Sequence, residues 1–395
     1  MSAPIIQGWC PGALRPMMSG DGLVVRVRPR GGRLTSEQAA GIAALSARFG
    51  NGLIDLSARA NVQLRGVREA DHGTLIGGLD ALGLIDASTE AEARRNIAIT
   101  PFWQDGDRVQ VVARALTDAL AAPDAPQTPG KFGYAVDCGV RPILSGVSAD
   151  IRIEAATGGF LVRADGADTG AFATADTVAI RAMDLAHWFL ATGGAPEGRG
   201  RMAAHLARGA VLPERFREAS ATPPAAAVRP APGHCAHGFL VGFEFGQMRS
   251  DTLAALSDCG ALRVTPWRML LIEGAQAAPG IAGLITDADD PLLRVTACTG
   301  APGCPQAHAA TRDLARALAP FLPTGLPAEA QLHVSGCAKG CAHPGPAPRT
   351  LAGQPGGTFN LILGGTAAGT PVASGLSPET LAANPASLFE TENAT

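Results

Sequence analysis

Residues 22–67 read GLVVRVRPRGGRLTSEQAAGIAALSARFGNGLIDLSARANVQLRGV, and this stretch decides the fold class. Residues 22–29 alternate apolar and polar side chains as a strand does. Residues 35–49 carry helical periodicity. Thr35 is placed to cap that helix, and Gln38, three positions on, completes a capping box. Residues 53–57 and 61–67 read as two further strands, and a helix follows over about 71–82. The same plan returns downstream. Residues 238–246 (GFLVGFEFG) form a strand, 251–257 a short helix, and 261–265 and 269–275 two more strands. Strand–helix–strand–strand therefore occurs twice, the second copy trimmed.

The duplication continues past each copy. Residues 95–100 (RNIAIT) align on 294–299 (RVTACT), which sets Ile99 where Cys298 stands. Residues 131–138 (KFGYAVDC) then face 331–337 (QLHVSGC). Between the halves, 221–232 (ATPPAAAVRPAP) has the composition of an extended linker.

The 395 residues, 46 % hydrophobic, suffice for several domains and a sizeable core. A formal net charge of −3 gives no electrostatic case for a generic nucleic-acid binder or an anionic-membrane binder. No run of about 18 apolar residues occurs. The first twenty residues lack a basic and apolar leader pattern, so the expected location is cytoplasmic. Of 32 basic residues only Lys131 and Lys339 are lysines, whose compact ammonium arginine does not reproduce.

Eight cysteines without an export pattern point to metal or catalytic roles rather than disulfides. Four of them cluster: Cys298 and Cys304 as C-x5-C, then, after 32 residues, Cys337 and Cys341 as C-x3-C. Four thiolates can hold zinc or an iron–sulfur cluster. The intervals are wider than zinc knuckles and are filled with Gly and Pro. Such loops can wrap a larger object and aim backbone amides at sulfur. Each pair follows a strand-like run, 292–297 and 331–335, so the ligands belong at strand ends. Cys10, Cys138 and Cys259 read as ordinary core or near-core thiols. His234, Cys235 and His237 lack a fourth ligand.

The cysteine spacing, the duplicated plan and residues 56–63 (LSARANVQ) resemble the siroheme-dependent sulfite and nitrite reductase family. The resemblance implies an α+β fold with pseudo-two-fold duplication. Ferredoxin-like half-domains at 1–85 and 234–290 would each precede a mixed α/β catalytic domain, at 86–220 and 291–395, with 221–233 as linker. It implies a [4Fe–4S] cluster on Cys298, Cys304, Cys337 and Cys341, the last bridging to a haem iron. It also implies anion-binding side chains at Arg59, Asn61, Gln63, Arg95 and Lys131. The family's second lysine falls on Gly133, which carries no charge. Arg65 and Arg94 are expected to be solvated surface charges.

Residues 8–26 and 334–344 resemble one branch of that family, in which the tetrapyrrole is the substrate. That branch implies an O2-dependent monooxygenase that hydroxylates precorrin-3A at a meso carbon and closes a γ-lactone in aerobic cobalamin biosynthesis. A fully thiolate-ligated cluster does not bind O2 readily. A second iron centre, mononuclear non-haem iron or siroheme, is therefore expected. His308, His333 and His343 lie near the cysteines, but the sequence assigns no catalytic residue and no ligand set to that iron. No G-x-G-x-x-G fingerprint follows a strand, so the electron donor is external. Lys339, between two cluster cysteines, would tune the cluster potential. The rival readings are an assimilatory siroheme sulfite or nitrite reductase and a non-enzymatic iron–sulfur electron carrier.

Overall fold

The computed structural model describes residues 11–139, 141–220, 229–323 and 330–389. Cys10 and residues 221–228 of the linker lie outside the described residues.

Two antiparallel five-stranded sheets correspond to the two copies of the repeated plan. The first runs in the order Met17–Ser19, Gly22–Val27, Val62–Val67, Leu53–Leu56, Gln247–Arg249. The second runs Gly233–Cys235, Gly238–Gly242, Met269–Glu273, Leu262–Val264, Arg33–Leu34. The last strand of each sheet is lent by the other copy. Met248 pairs with Ile54, and Leu34 pairs with Leu262. Helices Ser36–Phe49 and Ser250–Ser257 pack on one another. One hydrophobic core results, with Val25, Ile42, Ile54 and Leu64 buried among Leu253, Leu256, Leu262 and Ile272. The capping box forms as expected: Thr35 accepts from the Gln38 N–H and Gln38 accepts from the Thr35 N–H.

The exchange explains one departure from the sequence reading. The strand expected over 238–246 stops at Gly242, and Glu244–Gly246 forms a short 3-10 turn with Phe245 at φ 53°. Arg30–Gly32 makes the matching turn in the first copy, with Gly31 at φ 62°. In both places the chain must break direction to carry the next residues into the other sheet.

The two remaining sheets are also copies. One has the order Ala219–Ser220, Thr169–Ala173, Gly159–Ala164, Ile151–Ala156, Tyr134–Asp137, Ile97–Ile99. The other has Val295–Ala297, Leu332–Ser335, Ala347–Gly353, Phe359–Gly365, Ala373–Leu376. In each, the first three strands in chain order are parallel and the rest antiparallel. A helix, Arg108–Ala121 or Arg312–Leu318, makes the crossover between the first two. The whole is a mixed α+β fold built twice.

Hydrogen bonding corrects the register of that repeat by one residue. Thr100 N–H donates to the Val136 carbonyl (3.0 Å) as Cys298 N–H does to Val334 (3.3 Å). Thr100, not Ile99, therefore stands where Cys298 stands. Ile97 opposite Tyr134 matches Val295 opposite Leu332, which sets Cys138 at the place of Gly336.

Two further expectations are overturned. Arg65 and Arg94 are buried, not solvated. Arg65 pairs with Asp21 (2.8 Å) and Asp55 (3.0 Å), and Arg94 donates to the Leu120 carbonyl (3.0 Å). Cys259 is exposed rather than in a core, whereas Cys138 is buried and burial pushes its thiol up to about 12.

Candidate functional site

The hairpin turns at 57–61 and 265–269 are the same local structure. Ser57 Oγ accepts from the N–H groups of Arg59 (3.3 Å) and Asn61 (3.2 Å). Thr265 Oγ1 accepts from those of Trp267 (3.3 Å) and Met269 (3.2 Å). Ala60 and Arg268 both take left-handed φ, 53° and 62°. Arg59 thus corresponds to Trp267 and Asn61 to Met269. The strand registers extend the match, Arg26 and Gln63 corresponding to Leu240 and Leu271.

The two copies differ in chemistry at every one of these places. Leu240, Met269 and Leu271 form an apolar cluster with Phe102 and Trp267. In the first copy a polar row crosses the sheet instead, through Arg26, Gln63, Asp55 and Gln247, which oppose one another in register. Arg26 Nε donates to Gln63 Oε1 (2.9 Å), and Gln247 Nε2 donates to Asp55 Oδ1 (2.7 Å). Arg312 bonds to Gln247 at the end of the row and feels the charge of Cys298. Polar groups on a sheet face cost free energy unless they meet polar partners or ligand. In the second copy the first two places of the row are apolar, Leu240 and Leu271, and the last two are Arg263 and Arg33, both bonded to Glu273.

Arg59 and Lys131 are brought together, since Arg59 Nη1 donates to the Lys131 carbonyl (2.9 Å). Asn61 is buried, and its Nδ2 has no hydrogen-bond partner among the described residues. Arg95 is held elsewhere: its Nε and Nη2 both bond to Asp86 (2.8 Å each), and Nη2 also donates to the Arg28 carbonyl (3.0 Å). Gly133 is crowded, because a Cβ there would lie 2.8 Å from Asn96 Nδ2. One residue that the sequence reading missed joins the cluster. Arg201 donates to Ser148 Oγ (3.0 Å), the same oxygen that Arg59 Nη2 reaches (3.2 Å). Nothing in the local sequence around Arg201 marks it, and it lies 70 positions beyond Lys131.

The cysteines stand at strand ends, as expected. Cys298 follows Val295–Ala297 and Cys337 follows Leu332–Ser335, its parallel neighbour. The Gly336 N–H points at Cys298 Sγ (3.1 Å). Both loops are tied to the paired sheets. Ser19 Oγ and the Gly20 N–H donate to the Gly303 carbonyl (2.8 and 3.1 Å), and Arg268 donates to the Ala342 carbonyl (2.9 Å). Glycine is required at position 20, since a Cβ would approach the Pro302 carbonyl oxygen to 2.6 Å. Partial desolvation raises the Cys341 thiol pKa, Lys339 opposes the rise, and the thiols of Cys337, Cys298 and Cys304 add to it. Three further thiols within electrostatic reach of Cys341, with an amide aimed at Cys298 Sγ, are the kind of donor set that a thiolate-bound iron–sulfur cluster uses.

Among the described residues no three His, Cys, Asp or Glu side chains converge as a single metal ion requires. His333 is fully buried with neither ring nitrogen partnered among the described residues, and its pKa is pushed down to about 4, chiefly by burial. His343 bonds to the Pro346 carbonyl (3.0 Å), and His308 is exposed. No helix among the described residues is long and apolar enough to cross a membrane.

Comparison with known proteins agrees with this fold. A nitrite/sulfite reductase ferredoxin-like half-domain family profile matches residues 15–82. The NirA protein of Mycobacterium tuberculosis has a similar fold, with a TM-score of 0.62 at 17 % identity over 94 % of this chain and 82 % of that one. A precorrin-3B synthase of Sinorhizobium sp is 30 % identical over 406 aligned positions, which cover 94 % of this chain and 86 % of the relative.

Proposed function

The chain belongs to the precorrin-3B synthase family, and on that premise we propose how its residues serve the reaction, the O2-dependent hydroxylation of precorrin-3A with γ-lactone formation. It is an enzyme of the oxidoreductase class. The observation that carries the site assignment is the asymmetry of the two turns. Polar side chains stand at Arg59, Asn61 and Gln63, whereas their counterparts Met269 and Leu271 are buried in an apolar cluster and Trp267 packs against it.

Precorrin-3A is ringed by carboxylates. Arg59 and Lys131 bind them, the guanidinium through paired N–H donors. The buried Asn61 amide offers a donor that has no partner among the described residues. Gln63, fixed by Arg26, extends the polar wall. Arg95, paired with Asp86, holds the segment that leads into strand Ile97–Ile99 and acts by positioning. One atom of O2 enters the ring carbon and the other leaves as water, with two electrons and two protons taken up from an external donor. A [4Fe–4S] cluster on Cys298, Cys304, Cys337 and Cys341 would supply electrons singly. For the second iron, mononuclear or in a siroheme, the described residues offer no ligand set. We read the setting as cytoplasmic.

Sulfite or nitrite reduction is disfavoured by Gly133, which supplies no second lysine, and a Cβ there would lie 2.8 Å from Asn96 Nδ2. A bare electron carrier would need no such polar row. Anaerobically purified protein given precorrin-3A, a reductant and O2 is expected to yield a product heavier by one oxygen atom. Unchanged tetrapyrrole alongside active sulfite reduction would overturn the reading. Cys337→Ser is expected to lower iron and labile sulfide content, and unchanged content would remove Cys337 from the ligand set.

A further inference from the structure

We propose that Arg201 is a third cation of the carboxylate-binding cluster, gripping the same tetrapyrrole carboxylate as Arg59 over Ser148. This rests on the reading that the site around Arg59 and Lys131 takes a carboxylated tetrapyrrole.

Arg59 Nη2 and Arg201 Nη2 converge on Ser148 Oγ at 3.2 and 3.0 Å. Ser148 is exposed, so an incoming anion reaches both donors at once. The Arg201 guanidinium is held in advance. Its Nε bonds to both oxygens of Asp150 (2.9 and 3.1 Å), and its Nη2 also donates to the Ala149 carbonyl (3.0 Å). Asp150 is almost fully buried and takes the N–H groups of Gly133 (3.0 Å) and Met202 (2.8 Å) as well. It is a fixed post that presents one edge of Arg201 outward.

The same post explains the position of that charge. Asp150 binds the backbone of Gly133, so Arg201 stands beside the segment that carries Lys131. Within 131–133 the only side-chain cation is Lys131, since position 133 is glycine. Arg201 supplies a neighbouring positive group from a distant part of the chain. It is a planar fork rather than a point charge, which matches a carboxylate better than a small inorganic anion.

The test is fluorescence titration of the full-length protein with uroporphyrin III, a stable carboxylated tetrapyrrole. Arg201→Met is expected to raise Kd about tenfold or more, as loss of a charged hydrogen bond does. Combined with Arg59→Met, the loss should fall short of the product of the single losses, because the two grip one group. An unchanged Kd in folded Arg201→Met overturns the inference while leaving the substrate class intact. Should that variant fail to fold, Arg201→Lys keeps a charge for Asp150 but not the fork. A Kd raised about threefold then supports the inference, and an unchanged Kd overturns it. If the wild type itself does not bind uroporphyrin III, the tetrapyrrole reading of the site fails first.

Discussion

Asp137 shows how far a single side chain can depart from what its sequence neighbourhood suggests. It lies at the end of a buried strand and accepts the N–H groups of Ile143 and Leu144 (2.8 and 2.7 Å) on one oxygen. Its other oxygen has no hydrogen-bond partner among the described residues, and burial raises the carboxyl pKa to about 6 despite those two donors. A pKa raised in the folded state means that the folded protein binds the proton more tightly. That stability is present at low pH and is lost as pH rises through about 6. Asp137→Asn keeps an acceptor for both amides. Its stability relative to the wild type should therefore grow between pH 4 and pH 7, by up to about 3 kcal/mol. Urea midpoints across that range check this, and a flat difference would contradict it. On the proposed ligand set, Lys339→Ala is expected to move the midpoint potential of the cluster to more negative values, because the ammonium stabilises negative charge at Cys341. A redox titration followed by EPR reads the shift. Buried arginines were the least legible residues. Arg65, Arg94 and Arg95 sit in charged, polar sequence, and their burial depends on Asp21, Leu120 and Asp86, which no local pattern links to them.

At the scale of elements, the repeated plan was readable because period and capping act locally. The helix Ser36–Phe49 announces itself through Thr35 and Gln38. Thr35→Ala should cost about 1 kcal/mol, measured by thermal or urea unfolding. A loss below a few tenths would show that packing against Ser250–Ser257 alone fixes that end. The exchanged strands were not readable, since Arg33–Leu34 and Gln247–Arg249 have two and three residues and no alternation to detect. The one-residue slip at Ile99 has a related cause. Parallel strands buried on both faces show no polar alternation, so nothing in the side chains separates one register from the next. The strand-end placement of Cys298 and Cys337 was readable because each follows a short apolar strand run in sequence. Arg201 was not, because its relation to Lys131 is made by Asp150 through the fold.

At the scale of the molecule, the lent strands make the two paired sheets a single cooperative body. Met248 is buried in the shared core although it belongs to the second copy. Met248→Ala should cost about 2–5 kcal/mol. It should also speed amide exchange in both Leu53–Leu56 and Leu262–Val264, followed by hydrogen–deuterium exchange mass spectrometry. Acceleration confined to the first strand would show that the sheets open separately. The exchange also has a consequence during synthesis. Asp55 waits for Gln247, its partner 192 positions downstream. At about 5–20 residues per second the ribosome needs roughly 10–40 s to deliver it. Throughout that interval the nascent chain carries strand Leu53–Leu56 with an unpaired edge, open to any passing strand. The burden on chaperones thus lasts through that interval, and it ends when residue 249 clears the exit tunnel.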